Sequence, residues 1–152
     1  MEKPVKPVGK RRQARECAIQ FLYQFDLGGG EFADSLAAFW HALPEECGAD
    51  AKKFADDLIR GAVEKRLEID EKIKKYTEHW ELQRIAAVDR NILRLAMYEM
   101  LFRDDIPPVV SINEAVDIAK KFSTQESGSF VNGILDRLRA DLTRPARTPA
   151  GK

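Results

Sequence analysis

The chain has 152 residues, 44% apolar and 33% charged, enough to bury a core in one domain without disulfides or metals and too apolar for wholesale disorder. Its 25 basic and 25 acidic residues cancel only on average: residues 1–16 and 137–152 each carry +4, so the body between them carries −8 and a polyanion would meet the ends first. No apolar run reaches the length of a membrane span, no apolar segment follows the N-terminus, and Cys17 and Cys47 form no CxxC pair, a pattern that suits a reducing cytoplasm and argues against a membrane or secreted protein.

Pro4, Pro7 and Gly9 interrupt residues 1–9, which lack apolar periodicity and read as a flexible basic arm. From Lys10, the residues Ala14, Ala18, Phe21, Leu22 and Phe25 recur at helical steps, and Gly28-Gly29-Gly30 ends that helix. Cys17 falls on its apolar side, as a buried thiol rather than a reactive one. Phe32, Leu36, Phe39, Trp40 and Leu43 mark a second helix that Pro44 must stop. A third, with Asp50 as its N-cap, buries Phe54, Leu58 and Ala62, and the stripe Ile69, Ile73, Tyr76 and Trp80 follows, leaving open whether the chain breaks at 66–70.

Ile85, Val88, Ile92, Leu95, Ala96 and Phe102 predict a strongly apolar helix central to the core, ending before Ile106-Pro107-Pro108. Ser111-Ile112-Asn113-Glu114 reads as a capping box that starts the next helix, with a staple from Val110 to Ala115. The last helix starts near Glu126 or Ser127 and carries Phe130, Val131, Ile134, Leu135, Leu138 and Leu142 before Pro145. Residues 144–152 read as a flexible basic tail. With no period-two strand, the fold class is all-α, with six to seven helices in one domain over residues 10–143.

Enzymatic frameworks are missing from the pattern. His41 and His79 have no ligand spacing, and there is no GxxxxGK[ST], GxGxxG or GxSxG string, so we expect no catalysis and no cofactor or metal. The positive feature is Lys10-Arg11-Arg12-Gln13-Ala14-Arg15. Cations at a helix start oppose the macrodipole, which suggests a task other than helix stability, and Arg11, Arg12 and Arg15 are expected opposite the apolar stripe, free to hold phosphates. Charge alone leaves open a merely solvated basic helix start.

Residue strings are more specific. The run Arg11-Arg12-Gln13-Ala14-Arg15-Glu16-Cys17-Ala18-Ile19-Gln20-Phe21-Leu22-Tyr23-Gln24 closely resembles the opening of the NusB family of bacterial transcription antitermination factors. So do Asp89-Arg90-Asn91-Ile92-Leu93-Arg94-Leu95-Ala96-Met97-Tyr98-Glu99, Ile112-Asn113-Glu114-Ala115-Val116 with Ala119-Lys120-Lys121-Phe122, and Phe130-Val131-Asn132-Gly133-Ile134-Leu135-Asp136, in the family's order over residues 10–138.

The resemblance implies two packed three-helix bundles with an additional helix. It implies a partner, NusE, a small-subunit ribosomal protein in its second role. It also implies a ligand, the boxA element of nascent RNA, within a complex that keeps RNA polymerase transcribing ribosomal RNA operons. By the same resemblance, Lys10, Arg11, Arg12 and Arg15 form the main RNA contact and Glu126 and Phe130 help form the RNA surface. Phe130 either stacks on a base or belongs to the core, and Asp89 either faces NusE or is a simple helix-start acid. Glu99 and Glu114 are expected to be structural, and Gly133 to permit a close helix contact. Gly128 and Ser129 depart from the basic or polar pair common in relatives. Monomer and homodimer both remain open, as do two other readings: a helical protein-interaction module with incidental basic ends, and an accessory domain for a separate RNA methyltransferase.

Overall fold

The computed structural model describes residues 9–43, 48–78 and 81–142. The expected arm and tail, Cys47, His79, Trp80 and Pro44 therefore lie outside the described residues, apart from Gly9 of the arm. Seven α-helices and no strand occur among the described residues: α1 Lys10–Gly28, α2 Phe32–Ala42, α3 Gly48–Glu64, α4 Arg66–Tyr76, α5 Ala87–Phe102, α6 Pro108–Phe122 and α7 Gln125–Asp141, with a 3-10 turn at Leu82–Arg84 before α5.

The stops have local causes. Gly29 leaves α1 with φ +68, a conformation glycine adopts at no steric cost, while its amide still bonds to the Phe25 carbonyl. Leu43 is extended after α2, as the residue before a proline must be. The open question at 66–70 resolves as a break at Lys65, so Ile69, Ile73 and Tyr76 belong to a separate α4. α3 begins at Gly48, which places Asp50 within its first turn rather than at the N-cap; there it favours the helix dipole.

The largest correction concerns α6. It begins at Pro108, with Pro107 as N-cap, so Ser111 and Glu114 lie inside the helix and there is neither a capping box nor a Val110 staple. Proline presets the helical φ at a position whose amide has no partner to lose. That start wins over the one three residues later because the Ser111 hydroxyl is used elsewhere, donating to buried Glu99 at 2.9 Å. α7 starts at Gln125, one or two residues before the expected start, with Thr124 as N-cap, whose hydroxyl accepts from the Ser127 amide at 3.0 Å.

α5 is the axis of the fold. It packs against α1 and α3 on one side and α6 and α7 on the other, while α4 bridges to both α5 and α7. Ile92, Leu93, Leu95, Met97 and Met100 are almost wholly buried along it, so α5 closes the α1–α3 bundle and the α6–α7 pair at once. Gly61 of α3 makes the closest helix approach: a Cβ there would lie 2.0 Å from the Tyr98 ring of α5.

Candidate nucleic-acid interface

The basic start of α1 divides into three kinds of cation. Lys10 and Arg11 are exposed, and the Arg11 guanidinium carbon lies 4.4 Å above the centre of the Phe54 ring from α3. Arg12 is half-buried against α6, where Glu114 and Asp117 accept its hydrogen bonds. Arg15 is buried, with a side chain only 3% exposed, and its Nε and Nη2 donate to the two Glu99 oxygens at 2.9 and 2.8 Å. This overturns the expectation that all three arginines lie opposite the apolar stripe. Arg15, Ile19 and Leu22 stand at i, i+4 and i+7 on the buried side of α1, and a carboxylate buried on α5 requires a buried cation. Arg15 therefore positions α1 on α5 instead of offering its fork to a ligand.

Two residues that sequence reasoning passed over complete this end. The Phe54 ring also lies 5.4 Å from the Arg15 guanidinium carbon and 5.5 Å from that of Arg103, so one aromatic ring gathers three cations. Phe54 was legible only as a core position of α3. Arg103 in turn forms a two-pronged pair with Asp105 at 2.9 and 2.8 Å, and those hydrogen bonds hold the Asp105 carboxyl below its ordinary range despite some burial.

Asp89, Glu126 and Phe130 gather at the opposite end of α5. Ten residues separate Asp89 from Glu99, about 15 Å of helix. The residues expected to contact RNA or the partner protein thus form two separate clusters, not one pocket. Glu126 is exposed in the first turn of α7. Phe130 is half-buried and lines an open cleft of about 370 Å³ with Tyr76, Gly133, Ile134 and Arg137. Phe130 packs against the core, as its core reading expects, and also borders the cleft.

Arg137 braces this cleft by donating to the Tyr76 carbonyl at 3.1 Å, and the Tyr76 hydroxyl donates to Asp141. Burial and that bond push the Tyr76 phenol up to about 12. Gly133 makes no close helix contact: a Cβ there would meet nothing within 4 Å, so the glycine leaves the cleft wall open. The close approach is at Gly128, where a Cβ would come within 2.7 Å of the Lys120 side chain lying across α7.

Asp89 is 7% exposed at the start of α5. Its Oδ2 accepts from the Ser127 hydroxyl at 3.2 Å, while Oδ1 is buried with no partner among the described residues. Burial raises its pKa and the Ser127 bond only partly opposes this. A carboxyl that is a weaker acid when folded stabilises the fold below its unfolded pKa and loses that contribution as pH rises through the folded value. Asp89→Asn should therefore raise neutral-pH stability by about 1 kcal/mol, relieving a buried unpaired charge. The gain should disappear in urea melts at pH 3 to 4, and an equal gain at both pH values would show that this carboxyl carries no charge penalty.

Among the described residues no three His, Cys, Asp or Glu side chains converge as metal ligands, and no helix is long and apolar enough to cross a membrane. What the fold and surfaces define is a compact helical binding scaffold, with exposed cations at one end of a buried axis and an aromatic cleft at the other. The chain belongs to the NusB family, whose model matches residues 12–140. It is 50% identical over 137 residues to the transcription antitermination protein NusB of Geobacter sulfurreducens, covering 89% of this chain and 97% of that one. The NusB of Desulforapulum autotrophicum is 45% identical over 132 residues, covering 87% and 92%. Among solved structures, T. maritima NusB is 40% identical with a TM-score of 0.78, covering 95% of this chain and 96% of that one. A crystal structure of the antitermination factors NusB and NusE in complex with double-stranded RNA matches at 30% identity and a TM-score of 0.77, covering 88% and 98%.

Proposed function

We propose that this protein is a cytoplasmic, non-catalytic antitermination factor that binds boxA-type RNA together with NusE and helps RNA polymerase transcribe ribosomal RNA operons processively. The observation that carries the reading is its match, across most of its length, to NusB proteins, one of them solved with NusE and RNA. The surface supports it. Lys10 and Arg11 offer charge to phosphates in one cluster, and Phe130 offers an aromatic wall to a splayed base in the other. Asp89, on the α5 start that resembles the family's NusE-facing region, is the candidate protein contact, and Glu126 lies beside it at the start of α7.

The test is titration with boxA-like single-stranded RNA, a double-stranded counterpart and a scrambled strand, each with and without NusE, at several salt concentrations. NusE and boxA-like sequence should each strengthen binding. Lys10→Ala with Arg11→Ala should reduce the slope of log affinity against log salt by up to about 1.4, roughly 0.7 for each lost phosphate contact. Phe130→Ala should weaken binding by about 5- to 150-fold with little change in slope, because a base stacked on an aromatic ring releases no counterion. Equal binding to the boxA-like and scrambled strands, unaffected by NusE, would overturn the reading and favour a protein-interaction module.

A further inference from the structure

Among the α1 cations Arg12 stands apart. Lys10 and Arg11 have no carboxylate within ion-pair range among the described residues, and Arg15 is sealed against Glu99. The Arg12 side chain is 26% exposed, and its guanidinium is gripped from two directions by α6. Nε donates to Glu114, and Nη2 donates to Asp117 at 3.0 Å. These two acids are three positions apart on α6, close to one turn, and so present their carboxylates side by side. Two carboxylates on one guanidinium occupy the donors that a phosphate's oxygens would take. Asp117 is 56% exposed, so the grip sits at the rim, where ligand and solvent can reach it.

Resting on the RNA-binding reading of the α1 edge, we propose that Glu114 and Asp117 form a built-in competitor for phosphate, which RNA must displace to reach Arg12. A guanidinium already balanced by carboxylates adds little to the attraction of a polyanion and little to counterion release. A phosphate arriving beside two carboxylates also meets like charge. The clamp therefore weakens binding of any polyanion at this edge. Partly exposed ion pairs are weak, so the clamp can open without unfolding α1 or α6.

Neutralising the clamp supplies the test. Glu114→Gln with Asp117→Asn should tighten RNA binding roughly three- to tenfold and steepen the salt slope by about 0.7, the share of one freed cation. The gain should be the same for boxA-like and scrambled strands, because phosphates carry no sequence. Arg12→Ala should weaken binding more in the neutralised variant than in the otherwise unaltered protein, removing the whole gain there, a coupling that a double-mutant cycle reads directly. Glu68→Gln with Glu71→Gln on α4 removes the same charge elsewhere and should not steepen the slope.

Circular dichroism checks folding, and Asp117→Asn alone, a rim change, carries the test if the double variant misfolds. Wild-type affinity and slope in the neutralised protein, or an equal Arg12→Ala effect in both backgrounds, would overturn the clamp. If Lys10→Ala with Arg11→Ala weakens binding while neutralisation does nothing, the clamp alone fails. If neither change affects binding, the RNA reading of this edge fails and takes the clamp with it.

Discussion

Arg15→Ala should lower the stability of the protein by about 3 to 5 kcal/mol, because it takes the directly bonded cation away from a buried carboxylate. Glu99 is 1% exposed and accepts both prongs of Arg15 together with the Ser111 hydroxyl, so removing Arg15 takes away two of these three buried hydrogen bonds. Arg15→Lys should fall between, since a single ammonium cannot reproduce the two parallel bonds of a guanidinium. Replacing Arg15, Glu99 and Ser111 together by Met, Leu and Ala should recover much of the loss, as apolar groups of similar volume do in place of a buried ion pair. Urea melts followed by circular dichroism measure all three. In the folded fraction, Arg15→Ala should leave the salt slope of RNA binding intact, since a side chain this buried holds no phosphate. A slope reduced by a full contact would return Arg15 to the RNA surface.

That result turns on what a sequence can and cannot disclose. The bounds of α1, the stop after α2 and the centrality of α5 were legible because apolar spacing, glycine and proline act within a few residues of where they stand. The α6 start was misread because two helix-start signals compete there, Pro107-Pro108 and Ser111-Glu114. Choosing between them requires knowing that Glu99 needs the Ser111 hydroxyl, a contact across the helix–helix turn that no local rule contains.

The candidate interface was legible as residue types and poorly as geometry. Arginine at position 15 looked like its neighbours because its partner lies 84 residues away, although its i, i+4, i+7 relation to Ile19 and Leu22 already placed it on the buried side. Arg12 is tied across 102 residues to Glu114, a residue that on local evidence belonged to a cap. The cations around the Phe54 ring and the cleft at Phe130 depend on how separate helices meet, and periodicity along one helix carries no record of that.

The same dependence on distant partners governs the other end of α1, where Asp26→Ala should cost about 2 to 4 kcal/mol and make the protein less sensitive to acid. A single Asp26 oxygen accepts from Arg90 Nε at 2.8 Å and Asn91 Nδ2 at 3.0 Å, with Arg94 Nη1 3.1 Å away. Burial pushes the Asp26 carboxyl up, but the bonds from Arg90 and Asn91 and the charges of both arginines outweigh it and hold the group below its ordinary range. A depressed folded pKa gives stability that is complete above the unfolded value near pH 4 and is lost as pH falls through the folded value. The difference between wild type and Asp26→Ala should therefore be largest at neutral pH and shrink below about pH 4, in melts across that range. A difference independent of pH would mean that packing, not charge, sets the cost. Arg94 keeps Asp70, at 2.8 Å, but Arg90 has no second carboxylate among the described residues, and its other hydrogen bonds run to the Leu82 and Ile85 carbonyls of the turn that leads into α5. Asp89, the candidate NusE contact, is the residue immediately before Arg90. Loosening Arg90 should therefore disturb that contact more than the start of α1 proposed to meet RNA, which Arg15 and Glu99 hold independently. In the folded fraction of Asp26→Ala, the enhancement of RNA binding by NusE should fall, while the affinity and salt slope for RNA alone stay near those of the wild type.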